Sequence, residues 1–215
     1  MSARSPQAPT RLACTVLLFI AVGSSARAES VRQIFFAEAP ALLVRIEGAP
    51  VYHAILGTDL ERIVNTKVLI VRDRAGVHYL KVLDGWMESY ELPGEWTVSG
   101  VSPFGENAEL ERAVLASTAD RLAGRGLDDD PPTVFTSTEA AALIVTDGAP
   151  AWRTVAGTAL RYLANTAAKV FREPTDDEWY VQVDGRWYRA WTSDGPWQGI
   201  ADKELPADIA SHTAR

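Results

Sequence analysis

The chain is poor in the side chains from which catalytic and metal centres are assembled: one cysteine, Cys14, and three histidines in 215 residues. Cys14 precedes an apolar run instead of following it, so it does not read as a lipid attachment site, and no cysteine follows it. Disulfides, thiol catalysis and cysteine metal sites are thereby excluded from the rest of the chain. His53 and His78 stand where a second copy of the same pattern has Arg153 and Glu178, and His212 falls in a tail expected over 206–215. No histidine pair at helical spacing, phosphate-cradling glycine loop or Gly-x-Ser-x-Gly elbow occurs. The acid runs 128–130 and 176–178 lack the ligand spacing of a calcium loop. Asp184 and Asp194 lie near aromatic rings, as glycosidase carboxylates would, but each precedes a glycine and reads as a turn residue. The expectation is no enzymatic activity, no cofactor and no metal.

Long apolar runs are also lacking. "LACTVLLFIAVG" (12–23) is about a dozen residues, short of the roughly 20 that cross a membrane. Arg4 and Arg11 precede it and "ARA" (26–28) follows, the pattern of a secretory signal over 1–28. The expected protein is exported, periplasmic or extracellular and of bacterial type, with no membrane span once the signal is removed. Taking the three arginines of that segment from 21 basic side chains leaves 18 against 28 acidic ones, a net charge of −10. Nucleic acid is then not an expected partner.

What the sequence does contain is a repeat. "LLVRIEGAPVYHAILGTDLERIVNT" (42–66) precedes "ALIVTDGAPAWRTVAGTALRYLANT" (142–166) by one hundred residues. Gly-Ala-Pro, Gly-Thr, Leu and Asn-Thr recur in step, and Asp84-Gly85 aligns with Asp184-Gly185, after which Arg186 reads as one extra residue. Alternating apolar residues and turn signals predict strands near 41–47, 51–56, 60–64, 67–73, 77–83 and 86–90, and the same set in the second copy. Residues 106–124 change to a helical period. The predicted fold is mainly β: two tandem small antiparallel units, meander or barrel-like, joined by one α-helix. The first unit spans 29–100, the helix and linker 101–132, and the second unit 133–205.

"DGRWYRAWTSDGPW" (184–197) is the densest aromatic stretch. On a strand Trp187, Arg189 and Trp191 share one face and Tyr188 takes the other; Trp86, Glu88 and Tyr90 repeat the arrangement. A charge between two rings is costly to bury alone. Either the face is open and the rings form a platform for a ligand, or the two copies pack together and Glu88 meets Arg189 across the seam. Trp96 and Trp197 read as turn-packing residues, and Tyr52, Trp152, Tyr79 and Trp179 as core.

On these residues, together with "LPADI" (205–209), the sequence resembles a repeat of bacterial exported proteins often labelled carbohydrate-binding family V/XII. The resemblance covers most of the second copy and, more loosely, the first. It implies polysaccharide or cell-envelope glycan binding through exposed rings, with Trp187, Tyr188, Trp191, Arg189, Trp86 and Tyr90 as the ligand-binding residues. The alternative is a structural or protein-interaction module of the envelope, with envelope proteins as partners and the rings buried between the repeats.

Overall fold

The residues that recur between the copies explain the turns on which the fold is built. The computed structural model describes residues 33–82, 84–120, 122, 127, 131–175 and 177–213; the expected signal segment, the 128–130 acids and Asp176 lie outside them. The Asn65 side chain accepts from the Val51 amide at 2.8 Å and donates to the Glu47 and Ala49 carbonyls at 2.8 and 2.9 Å. Asn165 makes the same three bonds to Ala151, Asp147 and Ala149, each at 2.9 Å. Thr66 and Thr166 donate to the carbonyls of Arg45 and Val145. Each such bond contributes roughly 0.5–1.5 kcal/mol net, so the Asn-Thr and Gly-Ala-Pro matches mark a stapled loop.

Short strands follow from these closely spaced turns. In chain order they are β1 (Gln33–Ala37), β2 (Ala41–Arg45), β3 (Tyr52–Ala54), β4 (Glu61–Ile63), β5 (Ile70–Arg72), β6 (His78–Val82), β7 (Gly85–Ser89) and β8 (Thr97–Ser99), followed by α1 (Ala108–Ala116). The second half gives β9 (Thr133–Ser137), β10 (Ala141–Val145), β11 (Trp152–Thr154), β12 (Arg161–Leu163), β13 (Lys169–Arg172), β14 (Trp179–Val183), β15 (Arg186–Ala190) and β16 (Gln198–Ile200), then α2 (Ala207–Thr213). Strands β3–β8 form one antiparallel six-stranded meander and β11–β16 form another. The mainly β fold of two antiparallel units with a helix between them is as the sequence implies.

The two units are not separate beads, because they exchange their first strands. β1 pairs in parallel with β10, and β9 pairs in parallel with β2. Phe35 and Phe135 stack between the two ribbons with centroids 4.8 Å apart. Val134 from the second unit enters the first unit's core beside Val44, Ile63, Ile70 and Leu80. Ile34 and Phe36 from the first unit enter the second core beside Ile144, Leu163, Val170 and Val181. The flanking backbone bonds repeat the exchange: Ile46 N–H to the Ser137 carbonyl and Thr146 N–H to the Ala37 carbonyl, both at 2.9 Å.

The other face of each sheet is covered by a helix. α1 packs Leu110, Val114 and Leu115 over Ile55, Leu69, Val71 and Trp86, and α2 drives Ile209 among Val155, Phe171, Tyr180 and Trp187. The expected tail 206–215 is therefore largely a docked helix, and His212 lies against Tyr162 and Phe171. α1 is capped by the Asn107 side chain and ends at Ala116, short of the expected 124, because the Ser117 and Thr118 hydroxyls turn back onto the Val114 carbonyl. Lys81 Nζ reaches Glu111 Oε1 at 2.9 Å and Ser102 Oγ donates to Glu111 Oε2 at 2.9 Å. Burial opposes charge on Glu111, yet these two bonds outweigh it and hold the carboxyl below its usual range.

The structural register corrects the alignment of the copies. Arg72 faces His78 across its hairpin and Arg172 faces Trp179. The extra residue of the second copy therefore lies in the 173–178 loop and not at Arg186; Trp179 matches His78, and Tyr180 matches Tyr79. The two Asp-Gly pairs are not equivalent. Asp184 (φ 49°) and Gly185 (φ 76°) form a two-residue turn between Val183 and Arg186, the positive-φ pair that suits the twist of a hairpin. Gly85 already belongs to β7, paired with Val82.

Candidate functional site

β7 and β15 carry the aromatic residues singled out in the sequence, and their alternation places each ring. Trp86 and Trp187 turn to the helix-covered faces and are each 3% exposed, while Tyr188 turns to the opposite core at 2%. These three candidate ligand residues are enclosed, a correction with two causes: α1 and α2 cover Trp86 and Trp187, and Tyr188 packs on the other face in the core that includes Ile34, Ile144 and Val181. Tyr90 and Trp191, one step beyond β7 and β15 and at equivalent positions, emerge into solvent at 80% and 67%. A single strand face thus runs from dry core to open surface within five residues.

That gradient resolves the charge between the rings. Arg189 sits at the margin of the covered zone, with Nη2 and Nε 3.3 and 3.4 Å from Gln198 Oε1 and Nε 3.8 Å from Glu178 Oε1. Its partners belong to its own sheet, and the expected pairing with Glu88 across a seam between copies is not the one it makes. Glu178 is buried and accepts from the Tyr180 hydroxyl at 2.6 Å, so Arg189 meets a carboxylate fixed by its neighbour.

The surroundings of the two exposed rings differ. Tyr90 borders a hollow of about 380 Å³ with Glu88, Ser89, Glu91, Glu95 and Thr97. Three carboxylates around one ring give a surface rich in hydrogen-bond acceptors. The matching positions around Trp191 hold Arg189, Thr192 and Pro196, so the three carboxylates are not repeated there. Next to the Tyr90 hollow lies a groove of about 560 Å³ that shares Gly94, Glu95 and Thr97 and is walled by Phe35, Phe135, Trp96 and Pro93. Sequence reasoning missed the Phe35 and Phe135 walls; the signal available was that phenylalanine recurs at a spacing of one hundred, ahead of the stronger matches.

Each unit also holds a cation cluster beside its exchanged strand. The Arg72 guanidinium lies 3.6 Å from the Tyr52 ring centroid and 2.6 Å from Glu61 Oε2, and the Tyr52 hydroxyl shares a 2.9 Å hydrogen bond with His78 Nε2. Burial first, and then Arg72, push the buried His78 imidazole below its usual range. In the second unit Arg172 lies 5.5 and 5.1 Å from the Trp152 and Trp179 rings and pairs with Asp177. Among the described residues no three His, Cys, Asp or Glu side chains gather closely enough to hold a metal ion. No described helix is long and apolar enough to cross a membrane. No protein-family model, curated protein or solved structure matches the chain.

Proposed function

We propose that the protein is an exported, non-catalytic glycan-binding protein that presents one stacking ring per unit, Tyr90 and Trp191. The observation that carries this reading is the equivalence of the two positions: two large rings stand in solvent at the same step of the repeat, while the rings immediately before them are core. Flat aromatic faces bury large area at small entropic cost and suit the apolar face of a pyranose, with nearby polar groups fixing its orientation. Glu88, Glu91 and Glu95 supply acceptors for sugar hydroxyls beside Tyr90, and Arg189 supplies donors on the Trp191 strand. Trp86, Trp187 and Tyr188 support the platform from within. A second reading, a protein-interaction module of the envelope, is favoured by the groove of about 560 Å³, whose Phe35, Phe135, Trp96 and Pro93 walls offer fewer carboxylates than the Tyr90 hollow.

The test is retention on insoluble chitin and on peptidoglycan. Tyr90→Ala and Trp191→Ala should each weaken retention by on the order of tenfold, about 1.4 kcal/mol, with melting temperature unchanged because neither ring is packed. Retention indifferent to both variants, or absent in the unaltered protein, would reject the glycan reading and leave the protein-interaction one.

A further inference from the structure

In the first unit the described residues that follow α1 lie against the sheet. Arg62 Nη1 donates to Ser117 Oγ at 2.6 Å, and the Asp120 amide donates to the Lys67 carbonyl at 2.9 Å. Leu122 is buried in the same core as Ile63, Val68 and Ile70, and Leu127 joins it. Asp120 thus meets the segment joining β4 to β5, at the mouth where these strands part, and Leu122 joins the core that includes Val68. The second unit has the same mouth between β12 and β13, but there it is a cavity of about 330 Å³ whose walls include Tyr162, Leu163, Ala168, Val170, Phe171 and His212.

The residues around this cavity differ from the first unit's in a consistent direction. Ala164 and Ala168 replace Val64 and Val68, which deepens the floor, while Tyr162 and Phe171 replace Arg62 and Val71, which makes the walls aromatic. Tyr162 and Phe171 lie 6.1 and 5.7 Å from the His212 ring, so the helix end and the sheet form one lined recess. Lys169 stands exposed at the rim, where the first unit buries Leu69.

We propose that this cavity is a docking site for a turn-forming segment of a separate protein, carrying an acidic residue followed two positions later by leucine, as in the first unit, where Asp120 Oδ1 accepts from the Leu122 amide at 3.0 Å and Leu122 has φ 41°. The first unit displays the occupant's chemistry in Asp120 and Leu122. A leucine enters against Leu163, Ala168 and Val170, the counterparts of the residues that share a core with Leu122. A peptide N–H meets the carbonyl of Ala167, the counterpart of Lys67, and the acid lies beside Lys169, an attraction the first unit does not offer. This site shares no lining residue with the Tyr90 hollow and does not include Trp191, so it stands or falls independently of glycan binding.

The probe is a synthetic peptide with the sequence of residues 117–127, titrated into the isotope-labelled protein and followed through the His212 and Phe171 ring resonances. Saturable shifts are expected, at least tenfold weaker for the peptide bearing Leu122→Asp, and abolished both by Ala168→Phe, which fills the floor, and by Thr213→Trp, which covers the mouth from the last position of α2. The absence of saturable shifts at millimolar peptide overturns the proposal. So does binding that survives either variant, or binding indifferent to the leucine. Thr213→Trp keeps the test open if Ala168→Phe lowers the melting temperature, since Thr213 ends a helix and anchors no core.

Discussion

The two units share a meander, a stapled loop and a helix on one face, yet they stabilise the same positions with different chemistry. Where the first places Tyr52, His78, Arg72 and Glu61, the second places Trp152, Trp179, Arg172 and Arg161: a hydrogen-bonded polar cluster becomes a cation held over two indoles. Arg161 also lies 5.8 Å from the Trp152 ring, where Glu61 pairs with Arg72. The lesson concerns backbone and side chain separately. The turns fix the positions of the meander strands, after which side chains of different chemistry fill the same volume.

The exchange of first strands makes this comparison experimentally sharp, because each core depends on the other unit. The largest effect is expected from Ile34→Ala, which removes a buried side chain that the first unit lends to the second core. A loss of about 2–5 kcal/mol is expected, by the magnitudes of large-to-small core substitutions. Chemical denaturation should show one cooperative transition in both the original and the variant, moved to lower denaturant without a change of slope. Two resolved transitions, with only one shifted, would mean the units fold independently despite the exchange.

How much of this could be read in the sequence follows the same division. The first five strands of each meander, their turns and the helix between the units were legible because Gly, Pro, Asn and Thr sit at fixed steps and mark loops whatever lies around them; the sixth strands, β8 and β16, are three residues each and were not. The exchange was not: "QIFFA" and "TVFTS" are short apolar runs whose partners lie about one hundred residues away, and local alternation does not encode a remote partner. The aromatic strands were legible as strands but not as sites. Alternation assigns Trp187 and Trp191 to one face and is silent on where a helix stops covering it. The helix responsible, α2, is seven residues with only Ile209 buried, too brief to show a period.

A smaller effect should separate the two cation clusters by pH. His78 is held below its usual range, so the folded state resists the proton that the unfolded chain takes up below about pH 6.5. Stability contributed by neutral His78 is fully present above that pH and is lost as pH falls from there toward the folded value. Arg72 and Glu61 face this group from β5 and β4, Tyr52 from β3, and Asp73 from the loop after β5. The melting temperature should drop more between pH 7.5 and 5.5 for the original protein than for His78→Phe. The substitution takes the site towards the aromatic chemistry that Trp179 provides in the second unit. Equal slopes would show that His78 does not titrate differently on folding.

The smallest expected effects come from two glycines that look equivalent in sequence and are not. Gly185 carries φ 76° in a hairpin turn, with open space where a Cβ would stand. Gly185→Ala should therefore cost about 1 kcal/mol through backbone strain alone. Gly85 has no positive φ, but a Cβ there would stand 2.8 Å from Leu127 Cδ1. Gly85→Ala should cost a similar amount by overpacking, and that cost depends on the leucine. Coupling is then the deciding measurement. Adding Leu127→Ala should absorb most of the Gly85→Ala penalty, a non-additive double-mutant cycle, while leaving the Gly185→Ala penalty untouched. Additivity at both positions would mean that the Asp-Gly pairs do the same work in the two units, and that the offset of one residue between their hairpins has no energetic consequence.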